Sequence, residues 1–376
     1  MSGKTGGFGR KLNIIMTGLD DLKETINVVA GSAGEIKEDI GDIKKSVGDL
    51  KSNFSGFDSV KAVASEVLNL AEDVSAINDE LPLDTVGNGI AEGMRSTMGK
   101  NDDKRDEGLT TPENVERFDD TQYGPDPDWN VLDVYRPKGE AGILPVIFSI
   151  HGGGWLYGDK ERYQFYCMDL VSRGFAVINF SYRLAPENKY PACLEDTNLA
   201  VKWMLEHGNE YQLDLNNIFF VGDSAGGHLA GLYSCLCTNK EFAAKYDFTV
   251  PEGFVPKAVG LNCGAYDPMS FMQDNKLWES TIIADRAQLD PEWINVSSNV
   301  NEKFPPTYIV SSTGDFCYKY FEPLKTCLEE HGVEVESKVY GSEENKLGHV
   351  FHLDIRSADG RQCNDDECGF FRRHIS

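Results

Sequence analysis

The sequence predicts an α/β fold, a mostly parallel sheet with helices on both faces, preceded by a helical region of a different period. Three observations predict it. Beyond residue 114, short apolar runs alternate with amphipathic stretches. Among them, Gly222-Asp223-Ser224-Ala225-Gly226 places a serine between a strand and a helix. Before them, apolar residues recur every three and four positions, with no strand-like alternation.

Residues 12–82 carry that heptad. One run goes from Ile15 through Leu22, Val29, Ile36 and Ile43 to Leu50, and a second from Val60 to Leu81. "NFSGFD" supplies the break between them, and Asp58 or Ser59 can cap the second helix. A single apolar seam buries little unless something covers it. The two helices therefore form a hairpin, pack on the other domain, or associate with a second copy as a homo-oligomer, and these readings stand open. Residues 87–114, "GNGIAEGMRSTMGKNDDKRDEGLTTPEN", have linker composition. The expected domains are a helical region with its linker, 1–105, and a catalytic domain, 106–376.

In the second region "WNVLDVY", "PVIFSI", "FAVINFSY", "NIFFVGD", "KAVGLNC", "TYIVSS" and "EVESKVY" read as strands. "LEDTNLAVKWMLEHG" and "YFEPLKTCLEEHG" read as helices between them. The 376 residues, 40% hydrophobic, are enough for two domains and a sizeable core. No window approaches the roughly 18 apolar residues of a membrane span, and the N-terminus has neither a sustained apolar stretch nor a small-residue cleavage site. A cytoplasmic location follows as the expectation. The formal charge of -25 disfavours nucleic acid and anionic lipid as partners, because phosphates would be repelled. Nine cysteines without framework spacing read as free thiols rather than disulfides or a zinc site.

The serine corner carries the chemistry. Glycines on both sides let the turn be tight enough to hold Ser224 with its hydroxyl clear of the backbone. The helix that follows aims its N-terminal amides at the same spot, where negative charge would develop. "PVIFSIHGGGWLYGDK" supplies an oxyanion loop, with amides of Gly153 and Gly154 joining that of Ala225. A phosphate loop is the rival, but the run lacks the Gly-Lys-Ser/Thr ending. His151 in this loop reads as a structural hydrogen-bonding residue.

A serine nucleophile needs a base and an acid to orient it, in the chain order Ser, Asp or Glu, His for this architecture. Asp315 follows the strand "TYIVSS" at its C-terminal end, where such sheets place their chemistry. Asp267 is the alternative acid. In "GSEENKLGHVFHLD", His349 follows a glycine in a loop and is the expected base, while His352 points about a turn away. His228 lies four residues past the nucleophile, and His207, His331 and His374 sit in polar helical or terminal contexts. The long segment 264–305, with Tyr266, Phe271, Trp278 and Trp293, either lines an acyl pocket or packs as ordinary helix.

"HGGGW", "SYRLAPENKYPACLEDTNLAVKW", "GDSAGGHLA", "TGDFCYKYFEPLKTCLEEHGVEVE" and "GHVF" occur in order over roughly residues 115–356. The pattern resembles the α/β-hydrolase fold in its hormone-sensitive-lipase-like carboxylesterase branch. "HGGGWLYGDK" is also similar to bacterial carbohydrate esterases that remove acetyl or feruloyl groups. In these families His-x-Phe marks the base, matching His349-Val350-Phe351. The acid's usual Asp-Pro-Leu context is absent, since Phe316 and Cys317 follow Asp315. The resemblance implies a serine esterase for short-chain, acetyl-type esters of small molecules or oligosaccharides, with no metal and no organic cofactor. A formamidase-like amide hydrolase is the alternative within enzymes. A binding protein on an inactive hydrolase scaffold is the alternative outside them.

Overall fold

The computed structural model describes residues 83–272, 281–283 and 290–376. The heptad runs of 12–82 lie outside the described residues. Asp102–Pro268 and Ala287–Ser376 form one compact unit, while the described residues 83–101, 269–272 and 281–283 fall in a second.

Two elements depart from the sequence reading. Helix α1, Leu83–Asp106, occupies most of the stretch expected to be a linker. An interior glycine costs a helix only about 1 kcal/mol against alanine, so Gly87, Gly89, Gly93 and Gly99 weaken α1 without ending it. An ion pair within the helix and bonds to distant residues hold its last turn. Arg105 pairs with Asp102 at 2.9 Å and donates to the carbonyl of Arg162 at 2.6 Å. Tyr157 donates to Asp102 at 2.7 Å. The helix stops where Gly108 takes a positive φ of 81°. Strand β1, Val115–Gln122, was also unexpected, because "VERFDDTQ" has one buried residue and no apolar run. It pairs as an antiparallel edge on β2, Val131–Pro137. The buried ammonium of Lys160 bridges Asp120 at 2.8 Å and Asp133 at 3.0 Å, which ties that edge down. A polar strand held by one buried cation gives no periodic signal.

Together with β2, the remaining elements include the seven strands and the two helices expected. They run β3 Leu144–Ile150, α2 Lys160–Val171, β4 Ala176–Phe180, α3 Ala192–His207, β5 Leu213–Asp223, α4 Ala225–Thr238, β6 Ala258–Asn262, β7 Thr307–Ser312, α5 Tyr318–Glu330, β8 Val335–Tyr340 and α6 Ala358–Arg373. The sheet order is β1-β2-β4-β3-β5-β6-β7-β8. The pairs β1/β2 and β2/β4 are antiparallel, and the five pairs from β4/β3 onward are parallel.

Side chains alternate across β5 and show why helices cover both faces. Phe219 stacks on Phe371 of α6 at 4.9 Å. Its neighbour Phe220 meets Phe148 at 5.2 Å and Tyr233 of α4 at 5.9 Å. Each buried phenylalanine contributes roughly 2–3 kcal/mol. In parallel register, β5, β6 and β7 end side by side, with Asp223 opposite Asn262 and Asn262 opposite Val310. The loops after these ends therefore share one edge of the sheet.

The core also holds a carboxyl group. Glu367 on α6 is buried and accepts from Asn262 Nδ2 at 2.9 Å. Burial pushes its carboxyl up from the usual 4.5 to about 8, against the lowering effect of Asn262 and Arg173. Between those values the folded chain keeps a proton that the unfolded chain has released. Stability therefore falls as pH rises through the window, by at most about 1.4 kcal/mol per pH unit. Glu367→Gln keeps the acceptor and removes the linkage. Its stability relative to the parent should rise between pH 5 and pH 8 in denaturant titrations. Parallel pH profiles for the two proteins would count against this.

Candidate active site

The corner after β5 puts Ser224 at φ 52° and ψ −118°, a strained conformation for a residue other than glycine. Two glycines make it possible. A Cβ on Gly222 would lie 2.3 Å from the carbonyl of Gly226, and one on Gly226 would lie 2.0 Å from the carbonyl of Ile150. Helix α4 can therefore start directly beneath β3, with Ser224 at its N-terminus. The amide of Ser224 donates to Asn262 at 2.9 Å, and its carbonyl accepts from Ala265 at 3.1 Å, so the corner is tied to the end of β6.

His349 Nε2 lies 2.8 Å from Ser224 Oγ, and Nδ1 lies 2.7 Å from Asp315 Oδ1. With Nδ1–H donated to the carboxylate, Nε2 is left as an acceptor for the serine hydroxyl. Asp315 accepts two further bonds, from Ser311 Oγ at 2.7 Å and the Cys317 amide at 2.8 Å. Burial pushes its carboxyl up, but the imidazole and these donors outweigh burial and hold it below the usual 3.8. The loop that carries His349 is clamped to the strand before Asp315. Ser312 Oγ donates to the carbonyls of Leu347 and Gly348 at 2.9 and 3.0 Å, and the Gly314 amide donates to Leu347 at 2.8 Å. Phe316 covers one face of the imidazole at 4.0 Å.

The glycine loop after β3 turns back toward this point. Gly153 has φ 119° and Gly154 φ 62°. A side chain on Gly153 would collide with the Tyr157 carbonyl at 1.9 Å. Among the described residues, the amides of Gly153, Gly154 and Ala225 donate to no protein acceptor. The amide of Gly152 is used instead, donating to Tyr163 Oη at 2.9 Å. Tyr163 in turn donates to Asp223 Oδ2 at 2.8 Å, pinning the glycine loop to the residue before Ser224. Burial pushes the Asp223 carboxyl up to about 7. Sequence reasoning missed Tyr163 and Ser311, since neither carries a motif of its own.

The other histidines have different work. His151 stacks on Tyr182 at 3.9 Å and bonds Gly152 through Nδ1 at 2.8 Å, and burial lowers it to about 4. His228 accepts from Trp155 Nε1 at 3.3 Å and donates from Nε2 to Ile294 at 2.7 Å. It thereby orients the tryptophan of the glycine loop. His352 sits on a short 3-10 turn and is wholly buried rather than on a helix face, and among the described residues neither ring nitrogen has a partner. Burial, then the nearby His349, lowers it to about 3. Asp315, not Asp267, is the carboxylate at His349. Of the segment 264–305, Tyr266 is buried, while Trp278 lies outside the described residues.

The model of the BD-FAE family matches residues 132–320, half of the chain. The chain belongs to the BD-FAE family. This is the hormone-sensitive-lipase-like esterase group of the α/β-hydrolases that the motifs resemble. It is 28% identical over 222 residues to the versiconal hemiacetal acetate esterase of Dothistroma septosporum, covering 55% of this chain and 67% of that one. It is 32% identical over 183 residues to an esterase of Gibberella moniliformis, covering 46% of this chain and 57% of that one. The esterase B structure from Lactobacillus Rhamnosis superposes with a TM-score of 0.70 at 23% identity, over 77% of this chain and 96% of that one. That likeness establishes the α/β-hydrolase fold. The matched BD-FAE domain is that of a carboxylic ester hydrolase.

Proposed function

We propose that the chain is a serine carboxylesterase acting on short-chain, acetyl-type esters. One observation carries the reading: Ser224 Oγ, His349 and Asp315 form an unbroken hydrogen-bonded chain at 2.8 and 2.7 Å. His349 Nε2 takes the hydroxyl proton as Ser224 Oγ attacks the ester carbonyl. Asp315 fixes the tautomer and stabilises the imidazolium. The tetrahedral oxyanion sits against the amides of Gly153, Gly154 and Ala225. Each donor is worth about 3 kcal/mol of barrier. His349 then protonates the leaving alcohol, and a water deprotonated by the same nitrogen cleaves the acyl-enzyme. None of these steps calls on a metal or an organic cofactor.

The acetyl preference draws on the relative whose name specifies an acetate esterase. p-Nitrophenyl esters from acetate to decanoate should give a kcat/KM that is highest at two to four carbons and falls with each longer chain, about tenfold or more by ten carbons. A rising series would overturn the short-chain reading. Faster turnover of formylated amines than of aryl acetates would favour amide hydrolysis instead.

We further propose that the heptad-patterned residues 12–82 associate copies of the chain and that catalysis resides beyond them. Removal of residues 1–105 would also delete Asp102 and Arg105, which bond Tyr157 and Arg162 beside the glycine loop. The informative deletion is therefore 1–82. Light scattering should find a dimer or larger for the full chain and a monomer for the deletion, with esterase activity retained. A monomeric full chain would refute the association. Nine free thiols support a reducing, cytoplasmic setting. Among the described residues no helix is long and apolar enough to cross a membrane.

A further inference from the structure

Cys263 follows the last residue of β6, between the corner that carries Ser224 and the strand that leads to Asp315. It has a positive φ of 48°, and its amide donates to Val310 at 2.7 Å, which fixes the residue at the shared sheet edge. Its sulfur, a carboxylate oxygen of Asp315 and a ring nitrogen of His349 all lie within 4.8 Å of one another. The Asp315 side chain is fully buried, and that of His349 is 15% exposed. Esterase chemistry gives the thiol no task.

We propose that Cys263, Asp315 and His349 bind a thiophilic divalent cation of the zinc or cadmium class, and that its binding shuts the esterase off. The inference rests on the proposed roles of His349 and Asp315. Donor type selects the ion. One sulfur, one nitrogen and one oxygen suit zinc or cadmium, whereas magnesium and calcium require six or more oxygens. Spacing fits as well. Bonds of 2.0–2.3 Å in a tetrahedron set ligand atoms about 3.5 Å apart, so the three groups need shift by only about 1 Å. Charge fits a buried place. A thiolate, a carboxylate, a neutral imidazole and a doubly positive ion sum to zero, leaving no uncompensated charge.

Binding is a proton exchange. The ion takes the Cys263 sulfur, whose proton leaves to solvent, and it takes Nδ1 of His349, whose proton reappears on Nε2. One proton is released for each ion bound, so apparent affinity rises about tenfold per pH unit. The ion stops catalysis through the tautomer. With Nε2 protonated, His349 can only donate to Ser224 Oγ and can no longer accept its proton.

The test compares the parent with Cys263→Ser and Cys263→Ala, each read against its own metal-free rate. Cadmium chloride should raise thiolate-to-metal charge-transfer absorbance in the parent, with a component missing from both variants. Subtracting the variants removes any signal from the part-exposed Cys237 and Cys327. Zinc chloride should inhibit the parent reversibly, with recovery on adding EDTA. The midpoint should rise at least about tenfold in Cys263→Ser, and fall about tenfold per pH unit in the parent. Magnesium should have no effect. Equal zinc midpoints and equal cadmium spectra in parent and variants would overturn the site. A Cys263-dependent cadmium signal without loss of esterase activity would overturn the claim that the ion engages His349 and shuts the esterase off.

Discussion

Ser224→Ala is expected to lower kcat by about 10⁴-fold or more while leaving the fold intact. The substitution deletes the attacking oxygen and its 2.8 Å bond to His349 Nε2, and touches little else. The corner itself is set by Gly222 and Gly226, whose close approaches to neighbouring backbone leave no room for a Cβ. Alanine can occupy φ 52° at about the same cost as serine, so the strained turn should survive. Circular dichroism and denaturant midpoints should match the parent. Residual turnover above about 1% of the parent would mean that another group attacks the ester.

His349→Ala should cost activity on a similar scale, about 10⁴-fold, whereas His352→Ala should change kcat by less than about tenfold. The two histidines are three residues apart and differ in company. His349 joins Ser224 to Asp315, while His352 is wholly buried, neutral and, among the described residues, without a partner at either nitrogen. Its ring packs edge-on against Tyr166 at 5.4 Å, which makes it a filler of the core. Truncating it should therefore appear in stability, by about 1–3 kcal/mol, rather than in the rate. Kinetics at matched folded fraction separate these effects. A larger rate loss for His352→Ala would transfer the base assignment to His352.

How far the sequence could be read follows from where each element draws its stability. The serine corner is local. Its strand-to-helix setting and the close contact of Gly222 with Gly226 lie within residues 213–238, and only the need for glycine at 226 comes from outside, from the carbonyl of Ile150. The parallel strands were visible because burial on both faces demands apolar runs. Strand β1 and helix α1 were not visible, because distant partners hold them. Lys160 anchors the polar edge at Asp120, and Tyr157 and Arg162 anchor the glycine-rich helix at Asp102 and Arg105. Asp315 and His349 were legible through chain order and through the strands before them. Ser311 and Tyr163 had no such cue. Their importance comes from bonds to Asp315 and to the Gly152 amide, made only when the loops at the sheet edge converge. Cys263 belongs to the same class. It is one of nine cysteines in the sequence, and only the register of β5, β6 and β7 places it beside Asp315 and His349.

The central claim is that Ser224 is the nucleophile, and covalent labelling tests it most directly. A fluorophosphonate reacts with a serine oxygen only where a base activates it and an oxyanion site receives the phosphoryl oxygen. Treated protein, digested and mapped by mass spectrometry, should carry a single adduct on the peptide containing Ser224. That adduct should be absent from Ser224→Ala and strongly reduced in His349→Ala. An adduct on a different residue in the active parent, or labelling of the same extent in Ser224→Ala, would contradict the account.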